Sequence, residues 1–127
     1  MEEKPIRIGV GYLRVEDLTN ESDLQSKMRQ IEQYCSSNNI LIPGVFADNI
    51  KGTEHFNGPS WLELEKTFPQ TAGFLHTIIM LDNSMQMKNP GLYLLKEKEL
   101  REKLGITIEI IGDKGHKQDL SKGLNLN

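Results

Sequence analysis

Four short apolar runs, residues 6–13 (IRIGVGYL), 40–47 (ILIPGVFA), 74–81 (FLHTIIML) and 106–111 (ITIEII), are separated by three segments each long enough to hold a helix. No other feature constrains the fold as tightly. Parallel strands need a crossover between them, and a helix is the usual one, so strand-sized runs alternating with helix-sized segments predict an α/β domain. The run at 74–81 is almost wholly apolar, as a strand covered on both faces is. The run at 106–111 is rich in β-branched residues. Pro43 and Gly44 interrupt the run at 40–47, which suits an edge strand or a bulge.

The intervening segments carry their own signals. Ser22 with Gln25 three residues on forms a capping-box signature. Leu24, Met28, Ile31 and Cys35 then fall on one helical stripe, closed by the polar residues 36–39. Residues 61–68 form a short helix candidate after a long polar stretch at 48–60. Asn89 as N-cap and Pro90 at the first helical position open a third helix, which Gly105 closes. The pattern stops after residue 112. The expected organisation is one domain over 1–112, with a mostly parallel sheet of four or five strands flanked by helices, and a flexible tail over 113–127.

Composition narrows the function. Hydrophobic residues at 37% and charged residues at 26% are ordinary for a globular domain and argue against disorder. No apolar run approaches the ~20 residues of a membrane span. The acidic N-terminus leads into no signal-peptide core. A soluble, cytoplasmic chain is expected. The single cysteine, Cys35, excludes an internal disulfide and sits on the helical stripe as a small core residue. His55, His76 and His116 lack ligand spacing, so neither metal nor cofactor is expected. The net charge of −3, with Arg7, Arg14, Arg29 and Arg101 as the only arginines, argues against a chain whose main work is gripping a phosphate backbone.

Ligands of parallel sheets gather at the carboxyl ends of the strands. Those ends carry Arg14, Glu16 and Asp17, then Asp48, then Asp82 and Asn83, then Asp113. Acids also favour such positions because they accept hydrogen bonds from free backbone N–H groups. Gly9 and Gly11 lie inside the first run, without a third glycine or a helix directly after them. They are no dinucleotide fingerprint, and no small-molecule substrate is evident.

Several of these segments resemble the catalytic domain of the serine recombinases, the resolvase/invertase family. YLRVE at 12–16 is similar to that family's Tyr-x-Arg-Val-Ser signature. FADNIKG at 46–52 resembles its Asp-x-x-Ser-Gly segment, and Gly58-Pro59 its Arg-Pro helix opening. Residues 78–86 resemble its third strand with the Asp-Arg-Leu-x-Arg box, and Gly105-Ile106 opens a strand where the family has Gly-Val-x-Ile. The resemblance implies a resolvase-like fold over residues ~6 to ~112. It also implies a site at which a serine attacks a DNA phosphodiester while arginines hold the phosphate.

The departures fall on that chemistry, which needs a hydroxyl nucleophile and fixed cations where negative charge accumulates. Glu16 occupies the serine position. Asn83 and Gln86 replace the arginines of the box, Gly58 the arginine before Pro59, Lys51 the serine of the Ser-Gly pair, and Lys27 the first-helix glutamine. Arg14 and Asp82 remain. Thr19 and Ser22 are alternative hydroxyls without an arginine cluster. A carboxylate at Glu16 repels a phosphate unless cations neutralise it.

The expectation is therefore a pseudoenzyme. It would act by associating with itself or with an intact recombinase, regulating recombination through inactive mixed oligomers, or else be a remnant in a mobile element. DNA contact is expected to be weak or indirect, with no DNA-binding domain in this chain. Arg14, freed of a phosphate, is expected to have little structural duty. The alternative is a receiver-like phosphoacceptor or metal-binding signalling module built on Glu16, Asp17 and Asp82. That module would also need a fifth strand ending in lysine, which the pattern lacks.

Overall fold

The computed structural model describes residues 5–51, 54–81, 89–112 and 117–118. Its elements run β1 (Arg7–Val15), α1 (Glu21–Ser37), β2 (Ile40–Leu41), β3 (Val45–Asn49), α2 (Pro59–Thr71), β4 (Thr77–Leu81), α3 (Pro90–Leu104), β5 (Thr107–Ile111) and β6 (Lys117–Gln118). β1 lies inside the sheet. β2 and β3 both pair with one side of it, Arg7 opposite Ile40 and Gly11 opposite Val45, and so act as two halves of one edge strand broken at Pro43 and Gly44. β4 pairs with the other side of β1, and β5 with β4, all in parallel. The fold is α/β with a mostly parallel sheet, as the alternation of runs requires.

The two faces of the sheet bury different clusters. Val10, Tyr12, Ile78, Met80, Ile108 and Ile110 pack with Trp61, Leu64 and Phe68 of α2 and Tyr93 and Leu100 of α3. Leu13, Val15, Ile79, Leu81 and Ile111 pack with Ile31, Tyr34 and Cys35 of α1. Gly11 admits α1 closely, since a Cβ there would stand 2.8 Å from a Val45 methyl and 3.0 Å from an Ile31 methyl. Cys35 is buried as expected, and burial pushes its thiol up to about 11.

Local details depart from the sequence expectation. The cap of α1 is Asn20, whose side chain accepts from the Asp23 amide at 3.1 Å, and Ser22 lies inside the first turn. α2 is longer than 61–68, starting at Pro59 and running to Thr71, with Pro69 inside its last turn at the cost of one i→i−4 bond close to the helix end. Asp48 and Asn49 belong to β3 and not to the following loop. The expected tail over 113–127 lies outside the described residues except for Lys117–Gln118, whose backbone pairs antiparallel with Ile110 and Ile111.

Candidate functional site

Chain order places the first crossover on one side of β1 and the later strands on the other. The carboxyl ends of β1 and β4 therefore flank the point where the strand order reverses, which is where such sheets open a crevice. The described residues at this end form two groups.

The first group lies toward α1. Glu16, Asp17, Asn20, Asp23, Lys27 and Ile50 line a shallow open cleft. Glu16 is exposed at its mouth. Lys27 extends its ammonium to the Asp23 carboxylate at 3.0 Å. The Thr19 hydroxyl and amide both donate to Asp17 Oδ1, at 2.6 and 2.9 Å, and hold that carboxyl below its ordinary value. The cleft thus sets three carboxylates against one ammonium that is already paired.

The second group lies toward α2 and α3. Arg14 is 2% exposed and donates from Nη1 to the Glu54 carbonyl at 2.8 Å. The expectation of little structural duty is thereby corrected: this guanidinium is buried and fastens the segment before α2. Asp48, also buried, accepts from the Tyr12 hydroxyl at 2.7 Å and from the amides of Ser60 and Trp61 at 2.8 and 2.9 Å. It caps α2 from β3, supplying the acceptor that the N-cap residue, Gly58, has no side chain to provide. A Cβ on Gly58 would overlap the Asp48 carboxyl. Burial, with Asp48 beside it, raises the Tyr12 phenol far above its ordinary value.

A histidine–tyrosine pair completes this group. His55 Nδ1 lies 2.5 Å from the Tyr93 hydroxyl. Burial first, and Arg14 second, hold His55 below its ordinary value, while burial pushes Tyr93 up to about 12. Phe56 packs between Trp61 and Tyr93, with ring centroids 4.9 and 4.7 Å away.

Among the residues singled out from the sequence, the structure brings Glu16 and Lys27 to one cleft, and Arg14 and Gly58 to the opposite group. Lys51 is exposed just beyond β3. Asp82, Asn83 and Gln86 lie outside the described residues. Sequence reasoning missed the cap by Asp48 and the His55–Tyr93 pair. A helix opening on Gly-Pro with no capping side chain is a signal for an acceptor from elsewhere. The His55–Tyr93 pair has no comparable signal. Among the described residues no group of three or more His, Cys, Asp or Glu could hold a metal ion, and no helix is long and apolar enough to cross a membrane.

No protein-family model matches the chain, and no curated protein matches it. Solved structures do. The C-terminal catalytic domain of ISC1926 TnpA, an IS607-like serine recombinase, aligns over 92% of this chain and 77% of that one, with a TM-score of 0.61 and 18% identity. A resolvase family site-specific recombinase from Streptococcus pneumoniae aligns over 93% of this chain and 83% of that one, with a TM-score of 0.63 and 14% identity. This chain has the fold of a serine recombinase catalytic domain. At these identities the likeness is one of fold.

Proposed function

We propose that this chain is a resolvase-like domain without strand-cleaving chemistry, which acts by protein association with itself or with an intact recombinase. The fold supports the recombinase half of this reading. The observation that carries the loss of strand-cleaving chemistry is the contact between Gly58 and Asp48: where the family resemblance calls for an arginine, the backbone abuts a buried carboxylate that leaves no room for a side chain. Glu16 adds a second obstacle, standing in a cleft whose net charge repels a phosphate. Arg14 alone is a poor substitute for a cluster of cations, because each lost stabilising group in a transition state costs orders of magnitude in rate. The receiver-like alternative has no observation of its own in its favour.

The test is a cleavage assay with supercoiled plasmid, scored for nicks and for covalent protein–DNA adducts. The wild-type chain gives neither, and Glu16→Ser gives neither, because the cation positions stay empty. Nicking restored by that one change would overturn the claim of lost chemistry. Association is tested separately by light scattering of the chain alone, and by adding it to an intact serine recombinase and measuring recombination. A monomer that leaves recombination unchanged at every ratio would overturn the second half of the reading.

A further inference from the structure

Residues 54–57 form a strap across the carboxyl end of β1, fixed at three points. Glu54 accepts from Arg14 through its carbonyl at 2.8 Å. His55 meets the Tyr93 hydroxyl at 2.5 Å. Phe56 inserts its ring between Trp61 and Tyr93. It does so at φ 60, a left-handed conformation that a bulky side chain keeps only while its surroundings hold it there. Beneath the strap the Arg14 side chain is almost fully covered.

We propose that this strap is released by a proton: His55 charging loosens residues 54–57 and uncovers Arg14. The inference concerns the segment's own equilibrium and goes beyond the proposal of protein association. An imidazolium at His55 would be half-buried beside the Arg14 guanidinium of β1. From α3 the facing groups are the Tyr93 hydroxyl and, over the Phe56 ring at 5.3 Å, the Lys96 ammonium. From β3 the buried carboxylate is Asp48, already engaged by Tyr12 and by two α2 amides. The neighbourhood therefore contributes like charge and burial, both of which oppose a charged imidazole. Because His55 is held below its ordinary value, the closed strap is favoured at neutral pH, and that preference is lost as pH falls through the lowered value. Tyr93, pushed up to about 12, keeps its proton throughout.

Trp61 is the single tryptophan and touches Phe56, so its fluorescence reports the strap directly. Titration from about pH 8 to 5 should give a one-proton change in emission with a midpoint below 6.5, the ordinary histidine value, at constant far-UV circular dichroism. His55→Gln should abolish the step and His76→Gln should keep it. Uncovering of Arg14 is read at fixed pH by mass spectrometry after labelling with an arginine-selective dicarbonyl, with exposed Arg29 as internal reference. Relative labelling of Arg14 should rise several-fold in His55→Lys, which carries a permanent cation, and stay low in His55→Gln. The proposal is overturned by pH-independent emission, by a step that survives His55→Gln, by a step that coincides with loss of helical signal, or by equal labelling of the two variants.

Discussion

Two arginine–acid neighbourhoods, each built around a buried carboxylate, sit on opposite faces of the same sheet, and they are built on different terms. On the α1 face, Glu109 of β5 accepts from Arg7 Nη1 at 2.7 Å and from the Tyr34 hydroxyl at 2.8 Å. Charge answers charge there, and three elements are tied together by one carboxylate. On the α2 and α3 face, Arg14 answers a backbone carbonyl, and Asp48 answers a phenol and two amides. A half-buried histidine and a left-handed Phe56 lie beside them. The first arrangement holds the sheet to its helix. The second spends its polar groups on fixing a loop and a helix start at the end of the sheet where ligands collect. Most of the bonds in this second neighbourhood run to the backbone, from Arg14 to a carbonyl and to Asp48 from two amides, with the Tyr12 phenol as the side-chain exception.

The largest expected effect breaks the first neighbourhood. Burial works to raise Glu109, but the bonds from Arg7 and Tyr34 outweigh it and hold the carboxyl below its ordinary value. Glu109→Ala leaves the Tyr34 hydroxyl and the Arg7 guanidinium without their shared acceptor. A loss of about 3 kcal/mol is expected, at the low end for a broken buried pair because Arg7 is partly exposed. Urea denaturation at neutral pH checks it. Because the folded carboxyl is depressed, the stability it contributes is present above its unfolded value and is lost as pH falls through the folded one. Glu109→Gln should therefore flatten the acid limb of the stability curve, and an unchanged limb would show that other carboxyls set it.

The next effect tests whether the second neighbourhood is as tightly coupled as its geometry implies. Gly58→Ala drives a Cβ into the Asp48 carboxyl and should cost about 2 kcal/mol, combining overpacking with a displaced helix cap. In an Asp48→Ala background the same substitution should cost under ~0.5 kcal/mol, because the obstacle is gone. Additive losses would mean that Gly58 is required for some reason other than Asp48. The cycle bears on function as well, since it measures the contact that closes this position to an arginine.

How much of this was legible in the sequence follows the range of each interaction. The strand runs, the opening of α3 at Asn89 and Pro90 and its close at Gly105 are local chemistry, and the structure has each of them, although the run at 74–81 starts its strand only at Thr77 and the run at 40–47 is split into β2 and β3. Gly105 takes φ 72, as the end of that helix requires. Asn20 displaced Ser22 as the cap of α1 because two capping residues stood within one turn, and only the backbone decides which of them leaves the helical conformation. The extent of α2 was misjudged because its first turn is stabilised by Asp48, eleven residues before the helix begins at Pro59. The His55–Tyr93 pair spans 38 positions and has no periodic or motif signature. Arg14 was singled out from the sequence but misread in its duty, since a side chain's burial depends on the loop that folds over it.

That misreading yields the smallest and most discriminating prediction. If Arg14 were a relic of phosphate binding with no structural role, Arg14→Ala would be neutral. Its buried Nη1 bond to the Glu54 carbonyl argues otherwise, since hydrogen bonds from charged donors carry more than neutral ones. Removing a buried cation also removes its desolvation penalty, which offsets part of the loss. The net expectation is about 1.5 kcal/mol, below the effect at Glu109 and at Gly58. The loss should be local: Trp61 emission should change at neutral pH, because Phe56 is no longer held, while the denaturant dependence of unfolding stays that of a domain whose core is intact. A neutral substitution with unchanged Trp61 emission would return Arg14 to the status of a relic and make the two neighbourhoods more unequal than their bonds suggest. A loss as large as that at Glu109 would make them equals, both of them structural clamps.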